Sequence, residues 1–178
     1  MASQYHFTTR WVMAASSEEV YRTLEDVESL TEWWPSVYLQ AKVLEKGRPG
    51  GVGKRVALHT KGWLPYTIRW AFLVTRAEFP NGFALEAEGD FNGTGVWSFR
   101  ELGDGRCEVL YDWNVSADKP LFRRLSWLLR PVFSANHHWA MRKGAESLKL
   151  ELLRRSAKTP EERLAVPPPP PPTWLHRR

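Results

Sequence analysis

Cysteine is nearly absent from this sequence: Cys107 is the only one among 178 residues. A single cysteine cannot form an internal disulfide. Val109, Tyr111 and Trp113 follow it at intervals of two, which places the thiol on the apolar face of a predicted strand. We therefore predict a buried, unreactive thiol in a protein of the reducing cytoplasm.

Long hydrophobic runs are also missing. Nowhere do eighteen apolar residues follow one another, so the sequence predicts no transmembrane helix. The first twenty residues, MASQYHFTTRWVMAASSEEV, contain no apolar run of signal-peptide length. We expect a soluble protein that is not exported by a cleaved signal.

The main part of the chain lacks an excess of positive charge. The formal net charge is +5, but six Lys/Arg against two Asp/Glu from Arg154 onward contribute +4 of it. The first 153 residues thus carry only +1, without the basic face that nucleic-acid binding requires. We expect no nucleic-acid partner and a solvated basic tail, and nothing in the pattern indicates an oligomeric state.

Catalytic and metal-binding motifs are absent as well. No serine lies in a G-x-S-x-G motif, and the glycine-rich GRPGGVGK lacks the Ser/Thr and the following helix of a phosphate-binding loop. His137 and His138 are adjacent on a predicted helix, about 100° apart, so they cannot chelate one ion as an i, i+4 pair does. We expect no metal and no cofactor.

The strongest positive signal is a long amphipathic helix over residues 133–155. Its apolar and small residues recur at steps of three and four, with charged residues mostly between them, so one face is meant to be covered. Gly144 lies on that face, although glycine costs a helix about 1 kcal/mol relative to alanine. The missing side chain predicts either close approach of a neighbouring element or room for a ligand.

Before this helix, the period of the apolar residues is mostly two, which indicates strands. Ser16 and Glu19 have capping-box spacing and begin a short helix after the first strand, and a second short helix over 30–35 ends at Pro35. Short turns without helical crossovers make the sheet antiparallel. The predicted strands cover residues 5–13, 37–45, 54–60, 66–75, 83–88, 97–100 and 106–115, and the glycine-rich DFNGTG lies between the fifth and the sixth of them.

Two segments near the C terminus have other patterns. Residues 119–132 read as an amphipathic helix with a basic polar face, separated from the long helix by Pro131. Beyond residue 155 the periodicity fades, and the six prolines at 167–172 can only be extended polyproline II. We predict one domain over 1–155 and a disordered, proline-rich basic tail over 156–178.

Over roughly residues 5–153 the chain resembles the START-like, helix-grip superfamily, and specifically a bacterial member of the polyketide cyclase/dehydrase type. The resemblance lies in SSEEVYRTLEDVESLTEWWPSV, in the strands GTGVWSF and CEVLYDWNV, and in the segment KPLFRRLSWLLRPVFSANHHWAMRKGAESLKLEL. It implies an α+β helix-grip fold: a curved antiparallel sheet of about six to seven strands, wrapped on a long C-terminal helix, with two short helices after the first strand. It also implies a hydrophobic cavity between sheet and helix.

Aromatic residues are the best indication of such a cavity, because nine of the ten tryptophans precede residue 140. His137 is a candidate acid/base, with Asp90 or Tyr111 as helper, or else a helix-start histidine bonded to backbone or to a nearby carboxylate. Asn136 is a helix-start residue or a ligand contact. The predicted ligand-binding residues are Trp33, Trp34, Trp70, Phe72, Trp97, Phe99, Tyr111, Trp113, His137, Met141 and Gly144.

Three functions remain open on the sequence. The first is binding of a hydrophobic small molecule, such as a polyketide, a lipid or an isoprenoid. The second is an enzyme of the cyclase/dehydratase kind that acts on a ligand in the same cavity. The third is peripheral membrane lipid transfer through the basic amphipathic helix over 119–130, which is more simply a lid on the sheet edge.

Overall fold

The computed structural model describes residues 3–117 and 126–173. Its main element is one antiparallel sheet of seven strands in the spatial order β1-β7-β6-β5-β4-β3-β2. This confirms the predicted sheet. The strands are β1 (Ser3–Met13), β2 (Tyr38–Lys46), β3 (Lys54–Lys61), β4 (Thr67–Glu78), β5 (Gly82–Gly89), β6 (Phe91–Gly103) and β7 (Arg106–Ala117).

The first strand lies beside the last one. Phe7 is opposite Trp113 and Trp11 is opposite Val109, so the apolar residues of β1 and β7 share the inner face. Strands β2 to β7 follow one another as a meander, each paired with the next. Cys107 is buried on the inner face, and burial raises the pKa of its thiol, in agreement with the prediction of an unreactive group.

Strand β6 is longer than the strand predicted over 97–100, because it begins at Phe91, within the glycine-rich DFNGTG. Gly93 and Gly95 are paired with both neighbouring strands instead of bending the chain. A Cβ atom on Gly95 would lie 2.9 Å from a ring carbon of Trp113 and 3.0 Å from the Tyr111 hydroxyl. Glycine is therefore there to make room for aromatic rings on the sheet rather than to form a turn.

Three helical segments follow β1: α1 (Ser17–Glu25), a 3₁₀ turn (Val27–Ser29) and α2 (Leu30–Trp33). Helix α1 contacts β6 and β7, whereas the 3₁₀ turn and α2 contact β2. The predicted capping box is confirmed, because the Ser16 amide donates to Glu19 Oε2 at 2.8 Å and the Glu19 amide donates to Ser16 Oγ.

The long C-terminal helix, α3 (Ser126–Ser156), packs against the sheet through buried Met141, Leu148 and Leu152. Pro131 lies inside it, so the predicted break at that residue is wrong. A proline removes one backbone hydrogen bond near the helix start, and the long packed segment that follows holds the helix together. Most of the separate helix predicted over 119–132 lies outside the described residues.

A short helix not foreseen from the sequence follows, α4 (Pro160–Ala165). Its signal was present, because Thr159 and Glu162 form a capping box and Pro160 occupies the first helical position. Beyond it, Arg154 donates from Nη2 to the Pro167 carbonyl at 2.9 Å. The division into a domain ending near residue 155 and a tail stays a prediction. Of the helices described here, none is long and apolar enough to cross a membrane.

Candidate functional site

A largely apolar cavity of about 200 Å³ lies between the inner face of the sheet and α3. Its wall takes residues from all seven strands and from α1, α2 and α3, so nearly the whole fold surrounds it. A cavity of this kind is the usual form of a small-molecule site.

Stacked aromatic rings form the sheet side of the cavity. The rings of Trp97 and Tyr111 are 4.0 Å apart with an angle of 18° between them, and Tyr111 and Trp113 are 5.7 Å apart at 22°. Trp70 lies 5.6 Å from Trp113 and donates from Nε1 to Thr60 Oγ1 at 3.1 Å. The wall is therefore flat, apolar and held in place by ring packing.

His137 forms part of the helix side. Its imidazole stacks on the ring of Phe7 with 4.0 Å between the centroids, and its buried Nε2 has no hydrogen-bond partner among the described residues. Burial, with a smaller contribution from His138, lowers the pKa of His137 to about 4. The imidazole is therefore neutral at pH 7 and can accept a proton or a hydrogen bond there.

Gly144 makes room for a tryptophan. A Cβ atom at this position would lie only 2.5 Å from Cη2 and 2.7 Å from Cε2 of Trp34. Of the two uses predicted for this glycine, the structure has the close approach of a neighbouring element. Trp34 itself lines the cavity, so the contact sets the position of one wall.

Eight of the predicted ligand-binding residues line the cavity: Trp34, Trp70, Phe72, Trp97, Tyr111, Trp113, His137 and Met141. Trp33, Phe99 and Gly144 are not part of its wall. Trp33 is fully buried beside Trp34, and Phe99 packs edge-on against Tyr21.

Of the two helper residues suggested for His137, only one lies at the cavity. Tyr111 lines the cavity, and burial holds the pKa of its hydroxyl well above the usual value. Asp90, between β5 and β6, does not line the cavity, and its Oδ2 accepts a hydrogen bond from the Arg69 amide of β4 at 2.8 Å. Within the described ranges, no three His, Cys, Asp or Glu side chains are grouped as a metal site would require.

The sequence also matches a known protein family. A model of the family described as polyketide cyclase/dehydrase and lipid transport matches residues 4–152. The chain belongs to that family. No curated protein is similar enough to this family member to count as a match.

Solved structures similar to this family member share its fold at low identity. The Zhui aromatase/cyclase from Streptomyces sp. R1128 has a TM-score of 0.70 at 16% identity, over 88% of this chain and 98% of that one. A protein from Thermus thermophilus has a TM-score of 0.69 at 20% identity, over 86% of this chain and 100% of that one. A START superfamily protein from Mycobacterium smegmatis has a TM-score of 0.59 at 16% identity, over 80% of this chain and 98% of that one.

Several polar residues of the cavity were missed at the sequence level. Lys61, Tyr38 and Tyr66 all line it, and burial raises the pKa of both tyrosine hydroxyls. Tyr66 shares the alternation of Trp70 and Phe72, which could have identified it, whereas Lys61 lies at the end of β3, where the period-two pattern stops. A lysine at a strand end carries no sequence signal of burial.

Asn136 on α3 holds that connection against the helix. Its Oδ1 accepts hydrogen bonds from the backbone amides of Trp63 at 2.9 Å and Leu64 at 3.3 Å. Gly62 permits this approach, because a Cβ atom there would overlap the Asn136 side chain. Asn136 and Gly62 both line the cavity, so the contact closes one part of its wall.

Asn136→Ala is expected to loosen the β3–β4 connection, because two backbone amides lose their acceptor, at a net cost of about 0.5–1.5 kcal/mol for each bond. Hydrogen exchange should show faster exchange at Trp63 and Leu64. Asn136→Asp is the matched control, since it keeps acceptor oxygens in place. Equal protection of both amides in the wild type and Asn136→Ala would contradict the assignment.

Proposed function

We propose that this protein binds a hydrophobic small molecule, such as a polyketide, a lipid or an isoprenoid, in the cavity between the sheet and α3. The observation that carries the proposal is the cavity itself, with its apolar aromatic wall and few polar groups. Transfer of apolar ligand surface into such a space contributes about 2.5 kcal/mol per 100 Å².

The size of the cavity limits the ligand. Its volume of about 200 Å³ is below the roughly 300–1,000 Å³ of pockets that hold drug-sized molecules. A compact molecule of two or three rings, or a short acyl chain, fits that space better than a long lipid. The flat stack of Trp97, Tyr111 and Trp113 supports a planar ligand.

The relatives support the same class of ligand. The family description joins polyketide cyclase/dehydrase activity with lipid transport, and both involve apolar organic molecules. One similar structure is named an aromatase/cyclase and another a START superfamily protein. At these identities they speak for the fold, and the ligand class comes from the cavity wall.

Ala140→Leu is expected to weaken binding of the neutral fluorescent probe N-phenyl-1-naphthylamine by roughly tenfold or more, about 1.4 kcal/mol. Ala140 lines the cavity, so three added carbons take space that the probe needs. Fluorescence titration of the purified protein measures the change. Ala135→Leu is the control, because Ala135 lies on the same helix but lines an outer groove. Equal weakening by both variants, or by neither, would place the probe elsewhere.

We infer a cyclase/dehydratase activity as the second candidate, favoured by the neutral His137 imidazole on the wall. A group of this kind can take a proton from the carbon next to a ligand carbonyl, while the cavity holds the chain folded for ring closure. Mass spectrometry after incubation with a poly-β-keto thioester separates the candidates. Loss of one water per ring closed and dehydrated indicates catalysis, and an unchanged bound mass indicates binding alone.

A further inference from the structure

Lys61 is unusual for a lysine, because only 4% of its surface is exposed. It is the last residue of β3, and its backbone amide donates to the Val37 carbonyl at 2.9 Å. That bond fixes the main chain where the strand ends. From there the residue lines the cavity together with Thr60 and Gly62.

Burial changes the chemistry of the Lys61 amine. The apolar surroundings disfavour the ammonium form, which lowers the pKa of this lysine. A neutral amine is a nucleophile, whereas an ammonium ion is not, and desolvation in an apolar pocket is one way in which proteins activate lysine.

Lys54 offers a comparison inside the same molecule. It also lines the cavity, but it is only partly buried. The two lysines therefore share the cavity and differ in burial.

We propose that Lys61 captures the carbonyl group of an apolar aldehyde or ketone as a reversible imine within the cavity. The inference rests on the proposed function, because it needs a ligand bound against the same wall. It narrows the ligand class to compact hydrophobic molecules that carry a carbonyl group.

The step balances without any further reagent. The lone pair of Nζ attacks the carbonyl carbon, the C=O π electrons move to oxygen, and one proton passes from nitrogen to that oxygen to give a carbinolamine. The hydroxyl then leaves with the second nitrogen proton as water, and the nitrogen lone pair forms the C=N bond. Hydrolysis by one water reverses the sequence and returns the amine and the carbonyl compound.

Reductive trapping tests the proposal on the full-length protein. The protein is incubated at pH 7 with 2-naphthaldehyde in limiting amount and sodium cyanoborohydride, whose hydride converts C=N into a stable secondary amine. Peptide mapping by mass spectrometry then locates the label. We expect Lys61 to be labelled at least tenfold more than Lys54.

Lys61→Met should abolish that label. Lys61→Arg should also abolish it and keeps a positive charge, so it serves as the test if Lys61→Met fails to fold. A label spread over exposed lysines, or one on Lys54 equal to that on Lys61, would overturn the proposal.

N-phenyl-1-naphthylamine, which has no carbonyl group, separates this inference from the proposed function. If the probe binds the wild type but the aldehyde leaves no label at Lys61 of that protein, imine capture is refuted and ligand binding stands. If the probe does not bind the wild type, the proposed function fails, and the imine proposal fails with it.

Discussion

Gly144→Leu is expected to destabilise the domain severely, at or above the upper end of the roughly 1–3 kcal/mol that overpacking costs. Even a Cβ atom at residue 144 would overlap the ring of Trp34. Trp34 has little freedom to move, because it is 3% exposed and packs against Trp11 and Tyr38. Urea unfolding monitored by circular dichroism measures the loss.

Gly144→Ala sharpens the same prediction. In a helix with open space at this position, alanine would gain about 1 kcal/mol over glycine. Here the added methyl group meets Trp34, so we expect the variant to be less stable than the wild type. Trp34→Phe provides the double-mutant cycle: the smaller ring should reduce the cost of Gly144→Ala. A stabilising Gly144→Ala would show that the ring of Trp34 moves away freely.

Gly144 also shows where sequence-based prediction ends. Its position on the buried face of the helix follows from the periodicity, and so does its cost in helix propensity. Whether the gap admits a ligand or a side chain depends on Trp34, which is far away in the sequence and adjacent in space. No pattern local to the helix contains that contact.

The aromatic wall of the cavity, in contrast, was predictable because it follows from a pattern within each strand. Alternation along β4, β6 and β7 places Trp70, Trp97, Tyr111 and Trp113 on one face, and a sheet face buried against a helix must be the inner one. Lys61 and Asn136 follow no such rule. They line the cavity because the β3–β4 connection meets α3. No repeating pattern in the sequence predicts a tertiary contact of this kind.

Lowering the pH from 7 to 5 is expected to remove about 2 kcal/mol of stability through His137 alone. The pKa of this residue is about 4 in the folded protein, against about 6.5 in an unfolded chain. The unfolded state therefore binds more protons over this interval, and stability falls as the pH decreases from about 6.5 towards 4. Well above the unfolded-state pKa, at about pH 8 and higher, the imidazole is neutral in both states and contributes no pH dependence.

His137→Phe isolates this contribution, because phenylalanine keeps a ring against Phe7 and cannot be protonated. Carboxylates that titrate in the same interval affect both proteins, so the change in the free energy of unfolding between pH 7 and pH 5 should be about 2 kcal/mol smaller in the variant. His138→Gln is the control: since burial contributes more than His138 to the lowered pKa, most of the wild-type pH dependence should remain. If His137→Phe lost as much stability as the wild type over this range, His137 would be protonated in the folded state with little penalty, and its place against the apolar wall would have to be revised.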